Sequence, residues 1–238
     1  MDRGLVAGPA FARGVPTMTT DDRQRAYWEG EHAFRSYDHP VVRLFAEQRL
    51  AFLASLIELS RVRQALDIGC GDGFSTYYMR SRIGKIWGTD RSRLMLNRHP
   101  LREDGRLAVA DARALPYADA SFDLVYGWEI LHHVADPVEV VSEMARVTRE
   151  HVLLIEPNRN HPAQFAFALV DAEHRWVLKY SRGYLESMCT RAGLRLVKSA
   201  TGGHIFPNKT PISLARLLMR LPYVTRFGIS NWVLAAKP

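Results

Sequence analysis

The apolar positions of this chain fall into short dense runs separated by amphipathic stretches, and that alternation sets the expected elements. Residues 27–60 read as helical, with Phe45, Leu50, Phe52, Leu53, Leu56 and Ile57 forming an apolar stripe and Glu47, Arg49 and Glu58 turned to water. A short apolar strand follows at 64–68 and stops at Gly69. A helix is expected over 76–82, a strand over 85–89 ending at Asp90, and a helix capped by Ser92, whose hydroxyl suits the open N–H groups of a first turn. Strands are expected at 106–110, 122–127 and 151–156, with a helix over 137–147 between the last two. Short buried strands alternating with helices, without repeats, predict an α/β fold with a mostly parallel sheet covered on both faces.

After Glu156 the rhythm breaks. Residues 157–180 form a long aromatic-rich segment, a helix returns over 181–193, and a strand covers 194–199. A second long insertion, 202–227, precedes a last strand around 229–236. The expected organisation is a tail over residues 1–22, rich in Gly, Pro, Thr and Ala, followed by one domain over 23–238. That domain carries an N-terminal helical segment at 23–60 and cap insertions near 157–180 and 202–227.

Composition narrows the class. A length of 238 residues with 47% hydrophobic positions suits one domain with a full core. No apolar run is long enough to span a bilayer, and the interrupted start does not read as a signal peptide. Cys70 and Cys189 give neither a disulfide framework nor a metal pattern, so no metal is expected and a cytoplasmic location is. The net charge of +7 permits an anionic partner, but no arginine-rich tail, zinc-finger spacing or basic-aromatic alternation marks a nucleic-acid module.

The chemistry concentrates in LDIGCGDGFST, residues 66–76, where a buried strand meets a glycine turn with Asp67 just before it. Glycine admits positive φ and lets backbone approach a ligand. The spacing of Gly69, Gly71 and Gly73 differs from the dinucleotide pattern GxGxxG, since position 74 is Phe. A carboxylate at position 67 suits an ammonium better than a pyrophosphate. Asp90, at the end of the next strand, suits a pair of ribose hydroxyls or simply a helix cap.

With Asp111 and the stretch FDLVYGWEILHHVADP, these residues resemble the class I, Rossmann-like S-adenosylmethionine-dependent methyltransferases of small-molecule type, over most of 63–155. The resemblance implies a mostly parallel seven-stranded sheet with an antiparallel C-terminal hairpin, and S-adenosylmethionine as cofactor with S-adenosylhomocysteine as product. It places the methionine portion beside Asp67, Gly69, Cys70 and Gly71, the ribose at Asp90, and adenine at Asp111 and the backbone of Ala112. The stem of Arg91 would cover adenine, and Gly127 to Leu131 would lie beneath the sulfonium, where the faces of Tyr126 or Trp128 suit a cation. Tyr126 also reads as a buried strand residue, and Leu115 as a pocket wall or ordinary packing.

A hydroxyl or amine acceptor must lose a proton, and histidine is the side chain for that near neutral pH. His133 is the first candidate, followed by His132 and His174. Adjacent histidines are expected to diverge, leaving at most one facing the acceptor. Tyr27, Trp28, Phe34 and Tyr37 on the N-terminal segment, and Phe165, Phe167, Trp176 and Tyr180 on the first insertion, are the candidates for contacting substrate. The second insertion, SLARLLMRLPYVTRF, presents an apolar face that lines a cleft, packs in the core, or meets a membrane or second subunit in a monomer or homodimer. The favoured function is methyl transfer to a small molecule, at oxygen in a secondary metabolite, sugar-containing or lipid-like compound. An RNA or protein methyltransferase, a nicotinamide-dependent oxidoreductase and a silent nucleoside-binding protein are the alternatives.

Overall fold

In this computed structural model, residues 35–171 and 174–238 are described. Strands Gln64–Ile68 (β1), Lys85–Asp90 (β2), Leu107–Val109 (β3), Phe122–Trp128 (β4), Thr148–Pro157 (β5), Arg195–Gly202 (β6) and Ser230–Ala236 (β7) build one sheet of order β3-β2-β1-β4-β5-β7-β6. The pairs from β3 through β5 are parallel, whereas β7 runs antiparallel between β5 and β6. The reversal of strand order beside β1 opens a crevice at the carboxyl edge, where open α/β sheets bind ligands.

Burial on both faces explains the continuous apolar strands. Leu66, Ile68, Val125, Val152 and Leu154 point to one side, against helices Pro137–Val147 (α4) and Arg182–Arg191 (α6). Ala65, Leu124, Leu153 and Ile155 point to the other, against Pro40–Ala54 (α1) and Phe74–Met79 (α2). Leu153 and Leu154 are fully buried on opposite faces, so truncation of either to alanine costs about 2–5 kcal/mol.

Several boundaries differ from the sequence reading, each for a local reason. Of the expected helical stretch 27–60, residues 27–34 lie outside the described residues. A helix starts at Pro40, where proline needs no N–H partner and the His39 ring accepts from the Val41 N–H, and it ends at Ala54, capped by Ser55, rather than continuing to 60. The helix after the glycine turn starts two residues early, at Phe74, and stops at Met79. Strand β5 starts at Thr148, three residues before the apolar run, because Arg149 and Glu150 continue it with their side chains in water. Ser92 caps Arg93–Arg98 (α3) as expected, accepting from the Met95 N–H. The insertions fold as Pro162–Val170 (α5), a 3-10 turn His174–Lys179, and Ile212–Leu218 (α7). The expected tail at 1–22 lies outside the described residues.

Candidate active site

The carboxyl ends of β1, β2 and β4 bring the predicted acidic and glycine residues together. Gly69 follows β1 at φ +65°, and a Cβ there would sit 2.2 Å from Ile130 Cδ1, so the chain accepts only glycine under the loop that follows β4. Gly73, at φ +91°, precedes α2 with His99 and Pro100 pressed against it. Between them the Gly71 N–H donates to Asp90 Oδ2 at 2.9 Å, while Asp90 Oδ1 accepts from the Ser92 N–H at 2.8 Å. Asp90 thus ties the glycine turn to the end of β2 and starts α3. Burial raises its pKa above the usual carboxylate range. Cys70 packs its sulfur over Gly88, where a Cβ would come within 2.7 Å, so a small side chain is what the turn admits.

Asp67 is only 1% exposed and is the centre of a hydroxyl cage. Its Oδ2 accepts from Ser75 Oγ, from Thr76 Oγ1 at 2.6 Å and from the Tyr126 hydroxyl at 2.9 Å. Its Oδ1 is buried with no partner. Burial pushes Asp67 up to about 6 despite the three donors, which act in the opposite direction. Behind the cage, His99 is fully buried and held near 4 by desolvation, so it is neutral at pH 7. The Leu101 N–H donates to His99 Nδ1 at 3.0 Å, which leaves Nε2–H to donate to Thr76 Oγ1 at 3.2 Å. One tautomer therefore satisfies the whole chain from Leu101 to Asp67.

Asp111 departs from its expected posture. Arg113 holds both its oxygens, from Nε at 3.0 Å and Nη2 at 2.7 Å, and these hydrogen bonds bring its pKa down to about 2. Arg91 Nε stands 4.0 Å from the same carboxylate. Ala112 and Leu115 are buried in the core beneath, so packing is the role observed for Leu115.

The loop after β4 supplies the imidazoles. Leu131–His133 is a 3-10 turn, and its two histidine rings lie 3.9 Å apart at 43° rather than diverging. His132 is 5% exposed, with Nδ1 at 2.7 Å from Glu156 Oε2; the other Glu156 oxygen accepts from the Leu131 N–H at 2.7 Å. Because an ionised carboxylate only accepts, Nδ1 carries a proton, which in the neutral ring leaves the lone pair on Nε2. His133 is half-buried on the outer side of this pair. Tyr180, expected to contact substrate, is instead buried, its hydroxyl donating to the Leu131 carbonyl at 2.5 Å, so it braces the turn from behind.

Gly127 passes directly below Ile130, with only 2.8 Å to spare for a Cβ. Trp128 is half-buried and meets Phe74 edge-on at 5.6 Å, while Arg49 lies 4.9 Å from its ring. Arg49 itself corrects the amphipathic reading of α1: it is 1% exposed and binds Glu129 Oε1 at 2.7 Å. Glu129 adopts φ +61°, an uncommon conformation outside glycine. Tyr126 is fully buried, which settles its strand role.

The remaining predicted residues do not converge here. Tyr37 stacks on Tyr77 of α2 at 4.6 Å. Phe165 and Trp176 lie on the surface, 49% and 38% exposed, with Lys179 over the Trp176 ring. Tyr27, Trp28 and Phe34, and the side chain of His174, lie outside the described residues. Among those residues no His, Cys, Asp and Glu group forms a metal site.

Glu156, Glu129, Ser75, Thr76 and His99 carried no expected role in the sequence. Only two signals pointed to them: hydroxyls directly after GxGxG, and a carboxylate ending an apolar strand as Asp67 and Asp90 do.

Comparisons with known proteins bear on the domain and the fold. Residues 66–155 match the family model described as a methyltransferase domain. Over 148 residues the chain is 32% identical to 27-O-demethylrifamycin SV methyltransferase of Amycolatopsis mediterranei, covering 59% of this chain and 52% of that protein. It is 32% identical over 134 residues to the ubiquinone biosynthesis O-methyltransferase of Alkalilimnicola ehrlichii, covering 53% and 54%. The chain thus spans about half the length of these curated relatives. Among solved structures, a possible histamine N-methyltransferase of Thermotoga maritima superposes with a TM-score of 0.65 at 16% identity, covering 83% of this chain and 92% of that one. The magnesium protoporphyrin IX methyltransferase of Synechocystis with bound S-adenosylhomocysteine gives 0.57 at 13%, covering 91% and 93%. Residues 66–155 thus match a methyltransferase domain, and the chain as a whole shares the Rossmann-like fold of these methyltransferase structures.

Proposed function

We propose that this protein transfers a methyl group from S-adenosylmethionine to a hydroxyl oxygen of a small-molecule acceptor. The observation that carries the reading is the pairing, at one sheet edge, of a buried carboxylate with an open oxygen and a carboxylate-oriented imidazole. Asp67 Oδ1 is a desolvated acceptor without a donor, a fit for the ammonium of an amino-acid cofactor. Asp90 keeps lone pairs on both oxygens beyond those given to Gly71 and Ser92, suiting ribose hydroxyls. Adenine falls to the Asp111 and Ala112 region, with Arg91 alongside; there Arg113 competes for the carboxylate and would yield part of its fork. Gly127 and Trp128 form the floor below the sulfonium.

The cofactor supplies an electrophilic methyl group, so the protein's share is alignment and proton removal. Glu156 fixes His132 with Nε2 as the free base, the orienting arrangement by which a carboxylate sets an imidazole's tautomer. His132 therefore takes the acceptor proton in this reading, ahead of His133, whose ring packs on it. An oxygen acceptor is also what the names of the rifamycin and ubiquinone relatives specify for those proteins. The insertions carrying Phe165 and Trp176 select the acceptor in this reading, since they lie outside the sheet-and-turn core that would hold the cofactor. Both free cysteines are buried and far apart in sequence, in keeping with a reducing, cytoplasmic setting.

The test has two arms. Calorimetric titration compares S-adenosylmethionine, S-adenosylhomocysteine and NAD; tight NAD binding without either sulfur nucleoside overturns the assignment. Mass spectrometry then follows a panel of phenolic, hydroquinone and polyketide alcohols for the gain of one methyl. Transfer confined to carbon or nitrogen acceptors rejects the oxygen assignment.

A further inference from the structure

The second insertion has two apolar sides. On α7, Ile212, Ala215 and Leu218 pack inward with Val41 and Phe45 of α1. The outward positions Leu214 and Leu217 on α7, and Leu221 three residues past its end, repeat at three and four residues and are 45%, 57% and 48% exposed. A surface helix ordinarily turns polar residues outward. Here Val224 and Phe227, 54% and 57% exposed, extend the apolar stripe beyond the helix end.

The first insertion continues this surface. Lys209, just before α7, lies 4.7 Å over the ring of Phe167 on α5, and His161 meets Phe206 at 5.3 Å. From α5, Phe165, Leu169 and Val170 are also exposed, the last at 82%. Two neighbouring insertions thus present large apolar side chains outward.

Asp171 caps α5, but on the α7 side of this region the charge is one-sided. After Glu186 the chain holds no acidic residue to its end, but eight Lys and Arg. Arg216, Arg220 and Arg226 are exposed among the outward leucines and Phe227. Apolar side chains interleaved with cations match the interface of an anionic bilayer, where headgroups take the charge and the acyl boundary takes the leucines. A two-fold pairing of the α7 face with a second copy would place the arginines of both copies at one interface with no acidic residue on α7 or 221–227 to meet them.

We propose that the outward face of α7, with the adjoining 221–227 segment and α5, is a docking surface for an anionic phospholipid bilayer. The proposal is independent of the reaction, because lipid binding is read without cofactor or acceptor. It has a consequence for access: the insertions that border the active-site edge would lie on the membrane, where lipid-soluble molecules are concentrated.

The experiment is co-sedimentation of the full chain with unilamellar vesicles of phosphatidylglycerol and phosphatidylcholine, or of phosphatidylcholine alone, at low and high salt. Binding to the anionic vesicles only, weakened by salt, is expected. Arg216→Gln with Arg220→Gln should lower partitioning about tenfold or more, as each cation near an anionic surface strengthens binding about fivefold. Leu217→Glu with Leu221→Glu should abolish binding, with circular-dichroism melting confirming that both variants fold. Absence of sedimentation with anionic vesicles overturns the proposal, as does unchanged binding of both folded variants. So does a dimer in sedimentation velocity that Leu217→Glu disrupts without any vesicle binding, or vesicle binding gained only after deletion of residues 1–34.

Discussion

Arg49 and Glu129 form an ion pair at 2.7 Å in which one partner is sealed and the other half open, their side chains 1% and 39% exposed. The asymmetry decides which loss is worse. Without Arg49, the Glu129 carboxylate turns to water. Without Glu129, a guanidinium stays buried between the rings of Phe45 and Trp128 with its main counter-charge gone. Glu129→Gln is therefore expected to destabilise by roughly 1.5–3 kcal/mol, screened by the half-open position of the carboxylate, and Arg49→Met by clearly less. Urea unfolding of both single variants and the double variant checks this; equal losses contradict the buried-charge account.

Asp67 gives a pH dependence of definite sign. Its folded pKa, about 6, lies above the ordinary 3.8, so between those values the folded state holds a proton that the unfolded state has released. Its contribution to stability is complete below pH 3.8 and is lost as pH rises through 6. Asp67→Asn should then stabilise the ligand-free protein at pH 7, by at most about 3 kcal/mol, and remove that part of the pH slope. Binding of a cationic amino-acid cofactor has the opposite sign, because it favours the ionised carboxylate. Its dissociation constant should rise as pH falls below 6 in the parent and change little in Asp67→Asn. Melting curves and calorimetry across pH 4–8 measure the two effects separately.

His99 acts against Asp67 in the same window. Its folded pKa, near 4, is below the usual 6.5, so its contribution is present at neutral pH and lost as pH falls from 6.5 towards 4. His99→Gln should flatten the acid side of the stability profile and loosen Thr76. The expected result is a stability maximum moved to lower pH in thermal melts; an unmoved maximum assigns the acid sensitivity elsewhere.

The sheet was legible because its strands are buried on both faces, which leaves short apolar runs with sharp ends. The strand beginning at Thr148 was less so, since Arg149 and Glu150 hide a hydrogen-bonded backbone under polar side chains. In the active site, glycines and strand-end carboxylates stood out because they are costly residues elsewhere. Their partners did not. Tyr126 reaches Asp67 across 59 positions of sequence, and only the pairing of β1 with β4 brings them together. Arg49 was misread as solvent-facing because a cation on an amphipathic helix normally is. The adjacent histidines were read as diverging because nothing local reveals a 3-10 turn braced by Glu156 and Tyr180.

Asp90 serves both the fold and the proposed ribose site, so its variants should separate the two. Asp90→Asn keeps an oxygen for one backbone N–H and loses charge; Asp90→Ala loses both hydrogen bonds to Gly71 and Ser92. Loss of charge-assisted ribose contacts is worth roughly 1.5–3 kcal/mol of cofactor affinity. Calorimetry should show both variants weakened to at least that extent, with Asp90→Ala also lowering the melting temperature. Cofactor binding by a folded Asp90→Ala protein with parent affinity would leave Asp90 as a cap alone.

Glu156 offers the sharpest test of the proposed base. As a carboxylate it holds His132 through Nδ1–H and so presents Nε2 as the acceptor of a proton. Glu156→Gln keeps the size and still supplies an oxygen to the Leu131 N–H, but its amide group favours the other imidazole tautomer. Cofactor affinity should stay near the parent value while kcat on a neutral hydroxyl acceptor falls by about 10²–10⁴-fold, the usual worth of general-base assistance. His132→Ala should fall equally, and the two losses should not add, because each removes the same oriented base. A phenolic acceptor ionised at high pH should recover most of the rate in both variants, since alignment then suffices. Full activity in His132→Ala with loss in His133→Ala would instead make the outer imidazole the base and reduce Glu156 to bracing the turn.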